Sequence, residues 1–77
     1  MNLKRIGLDT SKAVFTLHGV DQDEKTVLLR NVRRADLEAF FTKLPPTVVA
    51  LEACGGSHHW VRRLAALGHT VRLMPPT

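Results

Sequence analysis

The run Val48-Val49-Ala50-Leu51 is the feature that most constrains how this chain can fold. All four residues are apolar, with no polar residue alternating between them. A strand with one solvated face alternates, whereas a continuous apolar run is typical of a strand covered on both faces in a parallel sheet. Parallel strands need long crossover connections, which are usually helices. The run therefore predicts an α/β fold.

Helical patterns lie on both sides of this strand. Before it, four apolar residues recur at i, i+3, i+4 and i+7 and define one helix face, namely Leu37, Phe40, Phe41 and Leu44. Acidic residues are expected in the first turn of that helix and a lysine in its last, namely Asp36, Glu38 and Lys43. After the strand, a second apolar helix face consists of Trp60, Val61, Leu64 and Leu67. Ser57 is the expected N-cap of this second helix, and Gly68 its C-terminal stop.

Four further segments are rich in strand-forming residues. They predict strands at 3–9, 13–20, 26–32 and 69–73, which gives the order βββαβαβ and a mixed five-stranded sheet. If the first three strands form an antiparallel meander, a right-handed crossover places the fourth strand parallel to the first. Both crossovers then lie on one face of the sheet. We expect the other face to be left uncovered.

Composition bounds the class of protein. The chain has 77 residues, enough for one small domain, and a formal net charge of +4, which suits a polyanionic partner but also describes many soluble proteins. Cys54 is the single cysteine and has no partner for an internal disulfide. The amino terminus lacks the pattern of a secretion signal, and no apolar run approaches the length of a membrane span. These features predict a cytoplasmic protein without a membrane segment.

Asp9 and Glu52 stand apart from the other carboxylates, because each follows an apolar strand and precedes a turn. If the two strands are parallel neighbours, about 4.8 Å apart, carboxylates at their matching ends can hold one divalent cation between them. The simpler interpretation is that Asp9 opens a turn and Glu52 ends a strand. The acidic cluster at residues 21–24 is expected at the opposite end of the sheet.

Two segments resemble a known family. The segment Ile6-Gly7-Leu8-Asp9-Thr10-Ser11-Lys12 is similar to the opening strand of the DEDD transposases of bacterial insertion sequences, with its first catalytic aspartate. The segment from Leu51 to Trp60 is similar to the region around the catalytic glutamate of the same family. This insertion-sequence-110-type family is related to the Piv invertase and the RuvC-type resolvases. The segment from Leu67 to Pro76 is similar too, so the resemblance covers almost the whole chain.

The resemblance implies a ribonuclease-H-like (RuvC-like) fold and a role in DNA transposition and recombination. It implies that Asp9 and Glu52 are the first two of four acidic ligands, binding Mg²⁺ or Mn²⁺ during DNA strand cleavage and transfer by a two-metal mechanism. The other two would come from a helix after the fifth strand, and the chain stops at Thr77. We therefore expect residues 1–77 to be an incomplete amino-terminal portion without activity in isolation. The family also implies a further domain with a nucleophilic serine, and a structured guide RNA.

Polar residues near the two carboxylates are candidate nucleic-acid contacts. Lys12 follows the first carboxylate, and the start of the second helix offers backbone donors to a phosphate. The candidates are Lys12, Ser57, His58, His59, Arg62 and Arg63. A solvated surface is the simpler interpretation of the arginines, as it is of Arg33 and Arg34. Trp60 shares a helix face with apolar residues, which favours the core over stacking on a base.

Three other functions remain open. Sugar kinases and actin-like ATPases share such a sheet, but they usually have a glycine-rich first hairpin, whereas the turn here, Thr10-Ser11-Lys12, has no glycine. A zinc site would use Cys54, His58, His59 and His69, whose spacing fits no common zinc module. A non-catalytic fragment would bind nucleic acid or copies of itself, and the uncovered sheet face favours a symmetric dimer.

Overall fold

The computed structural model describes residues 3–10, 13–52 and 57–75. Five strands and two helices follow one another in the predicted order. They are β1 (Arg5–Asp9), β2 (Val14–Val20), β3 (Thr26–Arg33), α1 (Arg34–Thr42), β4 (Val48–Glu52), α2 (Ser57–Ala66) and β5 (Thr70–Met74). The bounds differ from the predicted ones by one or two residues, within the usual uncertainty of element ends.

The strands form one mixed sheet with the order β3-β2-β1-β4-β5. The first three strands are an antiparallel meander, and β4 lies parallel to β1 on its other side. A second crossover places β5 parallel to β4 at the edge. The predicted α/β class and the placement of strand four beside strand one are confirmed, and the arrangement is compatible with a ribonuclease-H-like domain.

The core lies on one face of the sheet. Alternate residues of β1, β2 and β4 are buried, and they pack with both helices in one cluster. Its largest fully buried members are Phe41, Ile6, Leu17, Leu37, Leu51, Leu64 and Val49. Because the same cluster contains residues of α1 and α2, both helices cover the same face, as the handedness argument predicts.

The helix ends differ from prediction in three details. Helix α1 follows β3 with no loop, so only Asp36 is an acidic residue of its first turn, and Lys43 is its C-cap. Ser57 was expected to be the N-cap of α2, and it is instead the first residue of the helix and is buried. Gly68 adopts φ 96°, so it does end the helix, and the next amide donates to the carbonyl of Leu64 at 3.1 Å. Neither described helix is long and apolar enough to span a membrane.

The opposite face, here called the open face, carries the other alternate residues of the strands. At its centre Gly7 pairs with Ala50, and both are half-buried. Its exposed apolar side chains include Val14, Leu29 and Met74. Within the described residues both helices lie on the other side, so this face is without a covering helix, as expected.

Candidate functional site

Asp9 and Glu52 lie at the same edge of the sheet. Leu8 and Leu51 are paired in the parallel β1/β4 ladder, and the two carboxylates come one residue later in each strand. Because the preceding leucines point to the core, the alternation of a strand turns both carboxylates to the open face. Both are exposed. The predicted position at neighbouring strand ends is therefore confirmed.

One cleft on the open face contains both carboxylates. It has a volume of about 380 Å³, and the small residues Gly7 and Ala50 belong to its lining. Its other lining residues are Leu8, Asp9, Thr16, His18, Glu52, Met74 and Pro75. An open cleft with two carboxylates at one end is accessible to a hydrated cation and to a large ligand.

Polar side chains extend the row of carboxylates across the sheet. Asp9 pairs with Thr16 on β2, and Thr16 pairs with Asn31 on β3. The Thr16 hydroxyl donates to the Asn31 side-chain oxygen at 3.0 Å. On the other side Glu52 pairs with Met74 of β5. The edge therefore has polar groups on the β2 and β3 side of the carboxylates and an apolar side chain on the β5 side.

His18 lines the same cleft two residues from Thr16. Its Nε2 lies 2.7 Å from the Thr26 hydroxyl, which fixes the ring on the open face. Among the described residues, no three acidic, histidine or cysteine side chains are grouped closely enough to hold a metal ion. The described part of the site is thus a pair of carboxylates.

The structure separates the predicted nucleic-acid contacts. Lys12 lies outside the described residues. Ser57 is only 1% exposed, so its side chain belongs to the packed start of α2 and not to the surface where a ligand would bind. His58 and His59 are exposed in the first turn of α2, and their contact with nucleic acid stays a prediction.

Arg62 and Arg63 are both exposed further along α2. Arg63 forms a hydrogen-bonded ion pair with Glu38 of α1. This hydrogen bond lowers the pKa of Glu38 and raises the pKa of Arg63. Arg63 therefore links the two helices, and contact with a phosphate would have to compete with that link.

His69 is a structural residue. Its side chain is buried; Nδ1 accepts a hydrogen bond from the Thr47 amide at 3.2 Å, and Nε2 donates to the Phe41 carbonyl at 2.8 Å. Both ring nitrogens are used, so His69 has no lone pair for a metal. The zinc alternative that included it is wrong for this residue, and Cys54 lies outside the described residues.

Trp60 belongs to the core, as predicted. It is 5% exposed and packs edge to face on Phe15, with ring centroids 5.7 Å apart. The Arg34 guanidinium lies 6.0 Å from the centre of the Trp60 ring. A larger cavity of about 560 Å³ lies between β3 and α1, lined by residues that include Arg30 and Phe40, and it contains neither Asp9 nor Glu52.

Sequence reasoning missed Thr16, Asn31 and His18 as neighbours of the carboxylates. Their alternation in the second and third strands placed them on one face, but which residue faces Asp9 depends on the register of the hairpin. That register depends on the turn, which the sequence leaves undefined.

These features define a class of protein: an α/β domain whose mixed sheet presents a carboxylate pair at the ends of two parallel strands, in an open cleft. Ligand sites in open α/β sheets generally lie at this end of the strands.

Sequence comparisons identify relatives of the chain. The chain is 57% identical over 76 residues to a probable family 20 transposase of Pseudomonas aeruginosa, and 56% identical over 72 residues to a putative transposase of Sinorhizobium fredii. It is 36% identical over 75 residues to the transposase for insertion sequence element IS1328 of Yersinia enterocolitica. These matches cover 99%, 94% and 97% of the chain. The chain is therefore homologous to a segment of insertion-sequence transposases.

The chain spans about a fifth of the length of these relatives, namely 22%, 19% and 22%. No protein-family model matches the sequence. No solved structure matches it either. The chemistry of the segment therefore has to be argued from its own residues.

Proposed function

We propose that this chain supplies half of the metal-binding site of an insertion-sequence transposase of the DEDD type, which cuts and joins DNA strands by metal-dependent phosphoryl transfer. The observation that carries the proposal is the position of Asp9 and Glu52, side by side at the ends of β1 and β4 in one cleft. The names of the relatives favour transposition over the ATP-binding alternative.

The two carboxylates suit a hard divalent cation. Mg²⁺ and Mn²⁺ prefer oxygen ligands, and Mg²⁺ is commonly held by one or two carboxylates with waters completing its shell. Such an ion would supply charge stabilisation at a phosphodiester, where negative charge increases during strand cleavage. Asp9 and Glu52 would hold the ion, and the open cleft would admit the DNA backbone beside it.

Neighbouring residues of the chain define the approach to the carboxylates. The hydrogen-bonded pair of Thr16 and Asn31 offers neutral polar groups on the β2 and β3 side. Gly7 and Ala50 keep the cleft open, because larger side chains there would occupy it. We expect DNA to cross the carboxylate edge from that side, and a structured RNA remains a second proposed partner.

Two carboxylates alone bind a divalent ion weakly. Among the described residues no third histidine, cysteine, aspartate or glutamate is grouped with them in a way that could hold a metal ion. We therefore propose that the 77-residue chain in isolation lacks efficient nuclease or transposase activity, and that activity needs the rest of a full-length transposase.

A chimaeric transposase tests this function. The chain would replace the matching segment of the Pseudomonas aeruginosa relative, to which it is 57% identical, and transposition would be counted in cells. Asp9→Asn and Glu52→Gln should each lower transposition roughly 100-fold or more, as loss of a group that stabilises transition-state charge commonly does. Asp23→Asn, in the turn at the opposite end of the sheet, is the matched control and should have little effect. Undiminished transposition by Asp9→Asn would contradict the proposal.

A further inference from the structure

Two consecutive arginines occupy the junction between β3 and α1 at the edge that carries the carboxylates. Strand β3 runs in the same direction as β1, since each is antiparallel to β2. It therefore ends at the edge where Asp9 lies. Arg33 is the last residue of β3 and Arg34 is the first residue of α1. Helix α2 also begins at this edge, because it follows β4.

The two side chains lie on opposite sides of the sheet. Arg33 pairs with Val14, two residues beyond the pair of Thr16 and Asn31, and it is exposed on the open face. Arg34 lies on the helix side, where its guanidinium is 6.0 Å from the centre of the Trp60 ring. The His59 ring packs against the same indole at a centroid distance of 5.1 Å.

Arginine is a poor choice for helix stability at both positions. Arg33 is the N-cap of α1 and makes no side-chain capping hydrogen bond, where serine, threonine, aspartate or asparagine would. Arg34 places a positive charge at the positive end of the helix dipole. Local rules of this kind are most often broken where a residue serves function.

Neither charge is neutralised within the described part of the chain. Lys4 and Arg5 pair with Glu24, and Arg63 pairs with Glu38. Arg33 and Arg34 take part in no ion pair among the described residues. An indole beneath a guanidinium leaves the N–H groups at the guanidinium edge available for an oxyanion.

We infer that Arg33 and Arg34 form a phosphate clamp that holds the DNA backbone on either side of the carboxylate edge. This inference rests on the proposed function, which supplies DNA as the partner. Contacts to phosphates position nucleic acid without reading its sequence, and arginine suits them because its donors match phosphate oxygens two at a time. The Trp60 ring lies against the Arg34 guanidinium and so holds it in place. Because Trp60 itself packs on Phe15, the position of Arg34 depends on the packing of α2 against β2.

The test is binding of a short fluorescein-labelled DNA duplex to this chain, measured by anisotropy over a range of salt concentrations in EDTA. Without a divalent ion the assay excludes contacts that a metal ion would mediate at the carboxylates. Arg33→Gln and Arg34→Gln should each weaken binding about fivefold to tenfold at 0.1 M salt and reduce the slope of log K against log salt by about 0.9. Lys25→Gln, which removes the same charge at the opposite end of the sheet, should change neither quantity.

Two further measurements separate the clamp from general charge or loss of folding. Trp60 is the single tryptophan, so DNA binding should change its fluorescence in the wild type and not in Arg34→Gln. Arg34→Lys should keep the salt slope but lose part of the affinity, because lysine lacks the planar donor pair. Circular dichroism would check that each variant is folded.

Equal salt slopes for the wild type, Arg33→Gln and Arg34→Gln would overturn the clamp. So would an equal effect of Lys25→Gln, which would indicate binding by overall charge. A single-stranded DNA and an RNA duplex of the same length complete the set, and tighter clamp-dependent binding of RNA would overturn DNA as the ligand. The metal proposal is tested separately: undiminished transposition by Asp9→Asn in the chimaeric transposase would contradict it without affecting the clamp.

Discussion

His69 on the loop before β5 joins two elements that are far apart in sequence, because its Nε2 donates to the carbonyl oxygen of Phe41 near the end of α1 at 2.8 Å. Its Nδ1 accepts from the Thr47 amide just before β4 at 3.2 Å. The ring also packs edge to face on Phe41, with centroids 5.3 Å apart. One side chain thus fixes where the first crossover leaves its helix and enters β4, the strand that carries Glu52.

Replacing His69 should therefore destabilise the fold. His69→Leu leaves the Phe41 carbonyl and the Thr47 amide without their partner, and we expect a loss of about 1–3 kcal/mol in the free energy of unfolding. Urea denaturation followed by Trp60 fluorescence would measure it. His58→Leu, at an exposed position of α2, is the control and should stay within about 0.5 kcal/mol of the wild type. Equal stability of the two variants would show that the His69 hydrogen bonds contribute nothing.

Thr47 offers a stabilising change at the same junction. Its hydroxyl oxygen is buried and has no hydrogen-bond partner among the described residues. Thr47→Val keeps the shape of the side chain and removes the unsatisfied hydroxyl, so the free energy of unfolding should rise by about 1 kcal/mol. The same urea titration measures this. A lower stability of Thr47→Val would mean that the hydroxyl is satisfied in solution.

Acid should weaken two surface links. Hydrogen bonds from Arg5 and then Lys4 lower the pKa of Glu24, and a hydrogen bond from Arg63 lowers the pKa of Glu38, both from an ordinary value of 4.5. A lowered pKa in the folded state means that the folded chain binds fewer protons than the unfolded chain. The stabilisation is complete above about pH 4.5 and is lost as the pH falls through the folded value.

The measurement is the urea midpoint between pH 6 and pH 3. It should fall with pH in the wild type and fall less steeply when Glu24→Gln and Glu38→Gln are combined. Both carboxylates are exposed, so the effect should shrink in high salt. A midpoint in the double variant that falls as steeply as in the wild type would contradict the assignment.

The open face predicts self-association. Val14, Leu29 and Met74 are exposed on it, at 45%, 72% and 52%, and exposed apolar groups of this kind favour contact between copies. We expect a symmetric dimer at micromolar concentration by light scattering. Leu29→Lys should shift the chain toward monomer, whereas Gln22→Lys, in the turn between β2 and β3, should not. A monomeric wild type would show that the open face is not a contact surface between copies of the chain.

Much of the fold was predictable from the sequence because its signals are local. The apolar run at β4, the helical spacing of Leu37 and Phe41, and Gly68 as a helix stop depend only on neighbouring residues. The carboxylate pair was also predictable, since connectivity alone places strand four beside strand one. Each of these predictions holds even when the predicted ends of the helices and strands are wrong by one or two residues.

The rest of the fold and of the site depends on contacts between segments that are distant in the sequence. Ser57 was expected as a helix cap and a nucleic-acid contact, and packing of α2 makes it a buried first residue of the helix. His69 looked like a metal ligand candidate until its two hydrogen bonds to α1 and the loop before β4 were visible. Arg34 was expected on a solvated surface, and only the packing of α2 places Trp60 beneath it.

The central claim is that Asp9 and Glu52 together bind one divalent cation, and titration of Mn²⁺ into the isotope-labelled chain tests it most directly. Mn²⁺ broadens nuclear magnetic resonance signals near its site, so weak binding is detectable. We predict broadening centred on the amides of Asp9, Glu52 and their strand partner Thr16, reversed by excess Mg²⁺ and lost in either Asp9→Asn or Glu52→Gln. Broadening that persists at this edge in both variants, or that centres instead on the acidic turn at Asp21 to Glu24, would contradict the claim.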